Sequence, residues 1–231
     1  MKNLSLTSEQ SGAFLLGSLI GNALGLPAHG KPHHILRQFF KGIKGYTDEY
    51  FTTMVKTGLR KGQNSINPIP LLKSLTLPLS ETEIARYLVE LLRISPDNAL
   101  KVANICFSYA QSEMKSEAKR VAEEVFGAEF INKMSRTEGY YPIDLITEYG
   151  NAMTENDAIE LSITFFLRNN ADYETFLLST INMGGLTGFT GSIAGGIELM
   201  GKSIDNIPKE WIEGLESSEE IIKIIQLKYE K

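Results

Sequence analysis

Apolar residues recur along this chain three and four apart, the spacing of one helical face, and almost nowhere alternate with period two. In "SETEIARYLVELLR" (80–93), Ile84, Leu88, Leu91 and Leu92 line such a face behind Ser80 and Glu83, which read as a capping box. "SPDNALKVANICFSYA" is expected to start its helix beyond Pro96, and its spacing predicts burial of Leu100, Ile105 and Tyr109. Thr154 and Asp157 open "ENDAIELSITFFLRN", and Asp172 opens "YETFLLSTINM". Pro208 stands where a first-turn proline is tolerated, ahead of "KEWIEGL", and Ser217 or Ser218 caps "SEEIIKIIQLKYEK". The expected fold class is all-α, a compact multi-helix bundle.

Two stretches lack the pattern and read as loops, "GKPHHILRQFFKGIKGYTDE" (30–49) and "KGQNSINPIPLLKSLTLPLS" (61–80). The second holds Pro68, Pro70 and Pro78 and cannot be one continuous helix. No internal repeat, linker or shift of composition divides the chain, so one domain over 1–231 is expected.

Glycine adds a second pattern. Gly17, Gly21 and Gly25 recur every four residues, leaving one stripe of the first helix as bare backbone for a close neighbour. "GGLTGFTGSIAGGIELMG" (184–201) carries seven of the chain's twenty glycines. Density of this kind marks close approach to a phosphate or to another backbone. The loop half offers Thr187 and Thr190 but no acid.

A net charge of −5 and a pI near 5.4 argue against a nucleic-acid or anionic-membrane partner. Cys106, the single cysteine, excludes an internal disulfide and suits a reducing compartment. "MKNLSLTSEQ" lacks the order of a secretory signal. "GAFLLGSLIGNALGLP" reads as too short and too glycine-broken to span a bilayer, so the expected location is the cytoplasm.

Three segments, in order, resemble the ADP-ribosylglycohydrolase family, which includes the dinitrogenase-reductase-activating glycohydrolases. "GSLIGNALGLPAHG" is similar to that family's opening G-x-x-x-G-D-A-x-G-x-P-x-E, and "GYTDEYFTTMV" to its Y-T-D-D-T-x-M. "INMGGLTGFTGSIAGGIELMGKSIDNIPKEWIEGL" is similar to N-x-G-G-D-T-D-T-I-G-A-I-A-G-A followed by I-P-x-x-W. The resemblance covers about 10–57 and 155–216. Between them, "GQNSINPIP" is a faint echo of G-x-G-S-x-M-R-x-x-P, and the role of 58–150 stays open.

The resemblance implies an all-α bundle that hydrolyses the bond between ADP-ribose and a protein side chain, with two magnesium ions held by T-D-D and D-T-D-T. Residue by residue, the first acid of the family becomes Asn22 and the motif-one glutamate becomes His29. Thr47 and Asp48 are kept, and the third metal position is Glu49. At D-T-D-T the chain reads Leu186, Thr187, Gly188 and Phe189, with Thr190 one position late. The family brings four metal-binding carboxylates to two dications, and this chain brings Asp48 and Glu49. A dication needs that compensation, so no dinuclear site is expected, and at most one weak magnesium at Thr47, Asp48 and Glu49.

Three readings follow. In the first, the chain is a pseudoenzyme that binds ADP-ribose, a related nucleotide or an ADP-ribosylated protein through Asn22, Gly185, Thr187, Phe189 and Thr190. In the second, it is a hydrolase using one metal or none, with His29 and Asp48 as catalytic groups. In the third, it is an interaction scaffold with no small ligand. Structural roles compete for the same residues: Asp48 and Glu49 as helix-capping acids, His29, His33 and His34 as loop histidines, Cys106 as a core residue.

Overall fold

A computed structural model describes residues 5–47 and 59–229. Asp48 and Glu49 lie outside the described residues. The described helices are α1 (Ser8–Gly25), α2 (His33–Ile35), α3 (Pro68–Ser74), α4 (Glu81–Leu92), α5 (Pro96–Ser112), α6 (Lys115–Phe126), α7 (Ala128–Arg136), α8 (Pro142–Glu148), α9 (Glu155–Arg168), α10 (Tyr173–Ile181), α11 (Thr187–Met200), α12 (Lys209–Gly214) and α13 (Ser218–Tyr229). The only strands among the described residues are two short ones, β1 (Lys31–Pro32) and β2 (Gly184–Gly185), paired antiparallel. The fold is all-α, as the periodicity predicts.

The two glycine-rich helices form the centre. Gly17, Gly21 and Gly25 on α1 face Gly195, Gly191 and Thr187 on α11, so the helices run antiparallel and touch backbone to backbone. A Cβ on Gly21 would sit well inside contact distance of the Gly191 carbonyl. That approach leaves every residue of α1 from Ser11 to Gly25 buried. By length and hydropathy α1 could cross a membrane, contrary to the expectation that it is too short; here it is enclosed by protein. Ser18 and Ser192 share a 2.6 Å hydrogen bond across the seam. At the far end of α11, Glu198 is 2% exposed and held by Lys115 at 3.3 Å, Lys202 at 2.9 Å and the Asn169 amide at 2.7 Å. A buried carboxylate is tolerated on such terms.

Several local expectations are met at the helix starts. Thr154 and Asp172 accept from the backbone N–H three residues on, as N-caps. Ser80 does so too, but Glu83 turns to Arg86 at 2.7 Å instead of closing a capping box. The reciprocal box is at Thr7 and Gln10, opening α1. Ile105 and Tyr109 are buried; Leu100 is 42% exposed, because Ala99, Val102, Ala103 and Cys106 form the inner face of α5 instead. Cys106 is a core residue, its thiol pKa pushed up by burial.

The two stretches read as loops contain helix. Pro68 and Pro70 fall in the first turn of α3, where backbone N–H groups have no intrahelical partner to lose, and Asn67 caps Ile69 at 3.0 Å. Residues 33–40 form α2 and a π-helical turn (Leu36–Phe40) on the fully buried Leu36.

Candidate functional site

The antiparallel seam brings the end of α1 to the start of α11, and most of the predicted ligand positions meet there. Asn22 is 1% exposed. Its Nδ2 donates to the Gly188 carbonyl at 3.2 Å, and its Oδ1 accepts from the Ser65 N–H at 2.8 Å. An aspartate could make the second bond but not the first. The amide is therefore a two-sided clamp joining α1, α11 and the loop before α3.

Thr187 and Thr190 are fully buried. Thr187 donates to the Gly25 carbonyl at 2.6 Å, and Thr190 to the Thr187 carbonyl at 3.3 Å. Both hydroxyl protons are thus held inside the seam. Gly184 and Gly185 have φ of +87° and +77°, which glycine adopts without strain. Gly185 lies against the carbonyls of Asn151 and Ala152, and its own carbonyl accepts from the Gly30 N–H at 2.8 Å.

His29 follows the short turn Leu26–Ala28 and is partly buried, not an exposed loop residue. Its Nδ1 accepts from the Gly188 N–H at 3.1 Å, capping the first turn of α11. That bond places the ring proton on Nε2, so the imidazole presents a donor outward. Burial lowers the His29 pKa from its ordinary value, favouring the neutral ring the cap requires. The Phe189 ring leans on it, centroids 5.1 Å apart and tilted by 59°.

The cap makes a prediction. A neutral folded-state histidine contributes stability that is complete above the unfolded pKa, about 6.5, and lost as pH falls through the lower folded value. His29→Ala is expected to cost about 1 kcal/mol at pH 7.5. It should also flatten the decline in stability between pH 7.5 and 5 relative to the parent, as read by urea unfolding at each pH. An unchanged pH slope would refute the capping role.

Thr47 is half-buried at the edge of the described segment. Just before it, Tyr46 donates to the Trp211 carbonyl at 2.9 Å, and Trp211 packs edge-on to Tyr173 with centroids 6.4 Å apart. The I-P-x-x-W segment therefore anchors the chain at Tyr46.

Sequence reasoning passed over Asn64, which stands in the faint "GQNSINPIP" echo. It is 2% exposed, and neither its amide nitrogen nor its oxygen has a hydrogen-bond partner among the described residues. An orphaned buried amide costs about 1–3 kcal/mol per group unless something else satisfies it. Asn64 lines a cavity of about 330 Å³ together with Arg60, Gln63, Asn67, Glu216 and Ser217. Next to it, Ser65 bonds Asn22 through its N–H and the Leu91 carbonyl through its hydroxyl at 2.9 Å. The donors described at this junction are amides, hydroxyls and a neutral imidazole. Among the described residues the one carboxylate nearby is Glu216 in the Asn64 cavity, and it is paired with Arg60, so this donor set does not by itself fit a pair of hard dications.

A family model described as ADP-ribosylglycohydrolase matches residues 83–230. The match runs through the middle segment, where the sequence motifs are faint, and begins after the opening-helix and Y-T-D-E motifs. A solved structure titled "ADP-ribosylglycohydrolase-related protein complex" is similar at 16% identity and a TM-score of 0.49, over 96% of this chain and 97% of that one. No curated protein matches.

Proposed function

The chain belongs to the ADP-ribosylglycohydrolase family, and from that premise we propose that it binds ADP-ribose, or an ADP-ribosylated protein, without running a two-magnesium hydrolysis. The observation that carries the reading is Asn64: a buried amide with an unmet donor and an unmet acceptor, one residue from the Ser65–Asn22 bond. A nucleotide base or ribose hydroxyl supplies both complements. The Phe189 ring, partly exposed beside His29, offers an aromatic surface for stacking.

Charge weighs against a two-magnesium site in this chain. Where the family resemblance implies carboxylates, Asn22, Leu186 and Gly188 stand. The Asn22 amide is engaged on both sides and the α11 N-terminus is capped by His29. Asp48 and Glu49 alone would oppose four positive charges with two negative.

Calorimetric titration with ADP-ribose is expected to give binding that magnesium leaves unchanged, with no release of ADP-ribose from a modified peptide. Asn64→Ala is expected to weaken that binding about tenfold or more while leaving stability equal or higher, since it removes an unsatisfied group. Magnesium-dependent turnover would overturn the reading, as would a failure of the parent chain to bind.

A further inference from the structure

Charge is divided unevenly along this acidic chain. Residues 1–80 hold nine Lys and Arg against three Asp and Glu, whereas 81–231 hold fourteen against twenty-five. From Gln10 to Thr47 there is no acid at all, and that stretch contains Lys31, Arg37, Lys41, Lys44 and all three histidines. A run of one sign inside a chain of the other builds a local potential that attracts the opposite charge.

The fold gathers part of this run around one cavity. His33, Arg37, Lys41, Gly42 and Asn182 line a space of about 500 Å³. Among the described residues no carboxylate lines it, and none of Asn22, His29, Thr187, Phe189 or Thr190 does, so it is distinct from the α1–α11 junction. Arg37 and Lys41 sit one turn apart, on the π-helical turn and at its left-handed end, where Lys41 has φ +52°. Both are exposed, and neither forms an ion pair among the described residues.

The wall behind them is held firmly. The Asn182 side chain accepts from the Ile43 N–H at 2.6 Å and donates to the Ile43 carbonyl at 2.9 Å. Its backbone carbonyl accepts from His33 Nδ1 at 2.7 Å, which fixes that ring's tautomer. The other ring nitrogen, His33 Nε2, is buried with no hydrogen-bond partner among the described residues.

We propose that this cavity, between the 33–42 turn and the end of α10, is a binding site for a doubly charged phosphate group of a small soluble molecule. The guanidinium of Arg37 supplies a fork of donors and the ammonium of Lys41 a point charge, the complement of a phosphate's oxygens. Two unpaired cations match a dianion. The volume suits a small phosphorylated molecule, and the proposal stands independently of the ADP-ribose reading.

The test uses the full chain and two probes, inorganic pyrophosphate and ADP-ribose, titrated calorimetrically at low salt. The parent is expected to bind pyrophosphate, with affinity falling as salt rises. Arg37→Gln with Lys41→Gln should weaken pyrophosphate about tenfold or more and leave ADP-ribose affinity as it was; Asn64→Ala should do the reverse. Circular dichroism and thermal unfolding would report whether the double variant is folded, and since both side chains are exposed no loss of fold is expected. If the parent fails to bind pyrophosphate, or the folded double variant binds it as well as the parent does, the site is refuted.

Discussion

Replacing Gly21 with alanine is expected to lower the unfolding free energy by about 3 kcal/mol or more, because one methyl group would be driven into the Gly191 backbone. The obstacle is a carbonyl on a buried helix, not the tip of a flexible side chain, so relief requires α1 and α11 to separate. Separation would also lengthen the Ser18–Ser192 bond and the Asn22–Gly188 bond, which bridge the same seam. Gly45→Ala is the control: nothing lies within 4 Å of a Cβ there, and its cost should stay within about 0.5 kcal/mol. Urea unfolding of the two variants reads the difference directly. Equal stability would mean that the helices do not touch backbone to backbone.

The second large effect is expected from Asn22→Asp, a change of almost no volume. It turns the donor facing the Gly188 carbonyl into an acceptor and places a charge at a site 1% exposed. About 3 kcal/mol of stability should be lost at neutral pH, through the broken bond and the buried carboxylate together. The pH dependence has a definite sign. Burial against a carbonyl raises the folded-state pKa above the unfolded value of about 3.9, so the folded chain holds its proton longer. The penalty is therefore small below about pH 4 and grows as pH rises through the folded-state pKa. If the parent chain itself gains stability on adding magnesium, the carboxylates it has suffice to hold the ion and the charge deficit is no bar to a metal site; a gain confined to the variant would instead show that the carboxylate missing at this position is what the metal lacks. Unfolding curves at pH 4 and pH 7.5, with and without magnesium, separate these outcomes.

Much of the architecture was legible in the linear pattern. Ile84, Leu88, Leu91 and Leu92 recur at helical spacing and are buried on α4. Thr154 and Asp172 announced their helices because a cap is satisfied three residues away. Leu100 and Glu83 were misjudged for a shared reason. In each a neighbour made the choice: small residues on α5 took the inner face, and Glu83 bonds Arg86 instead of closing the cap. The helical start at Pro68 was masked by prolines that obstruct helix everywhere except its first turn.

The candidate site was only half legible. Asn22, His29, Thr187 and Phe189 could be picked out by resemblance, but their partners lie far along the chain. Asn22 meets Gly188 and Ser65, and His29 meets Gly188. Asn64 gave no linear signal, since an unmet amide is recognisable only when burial removes its water.

By itself the sequence determined the helical class, the glycine stripes on two helices and the shortage of acids where the resemblance implies metal ligands. Those are properties of residue type and short-range spacing. Only the tertiary structure decided that the stripes face each other in antiparallel register, that Asn22 and His29 hold the start of α11, and that Arg37 and Lys41 share a cavity. Hydrogen bonds and charges act over a few ångströms of space whatever their separation in sequence, and folding alone sets that distance.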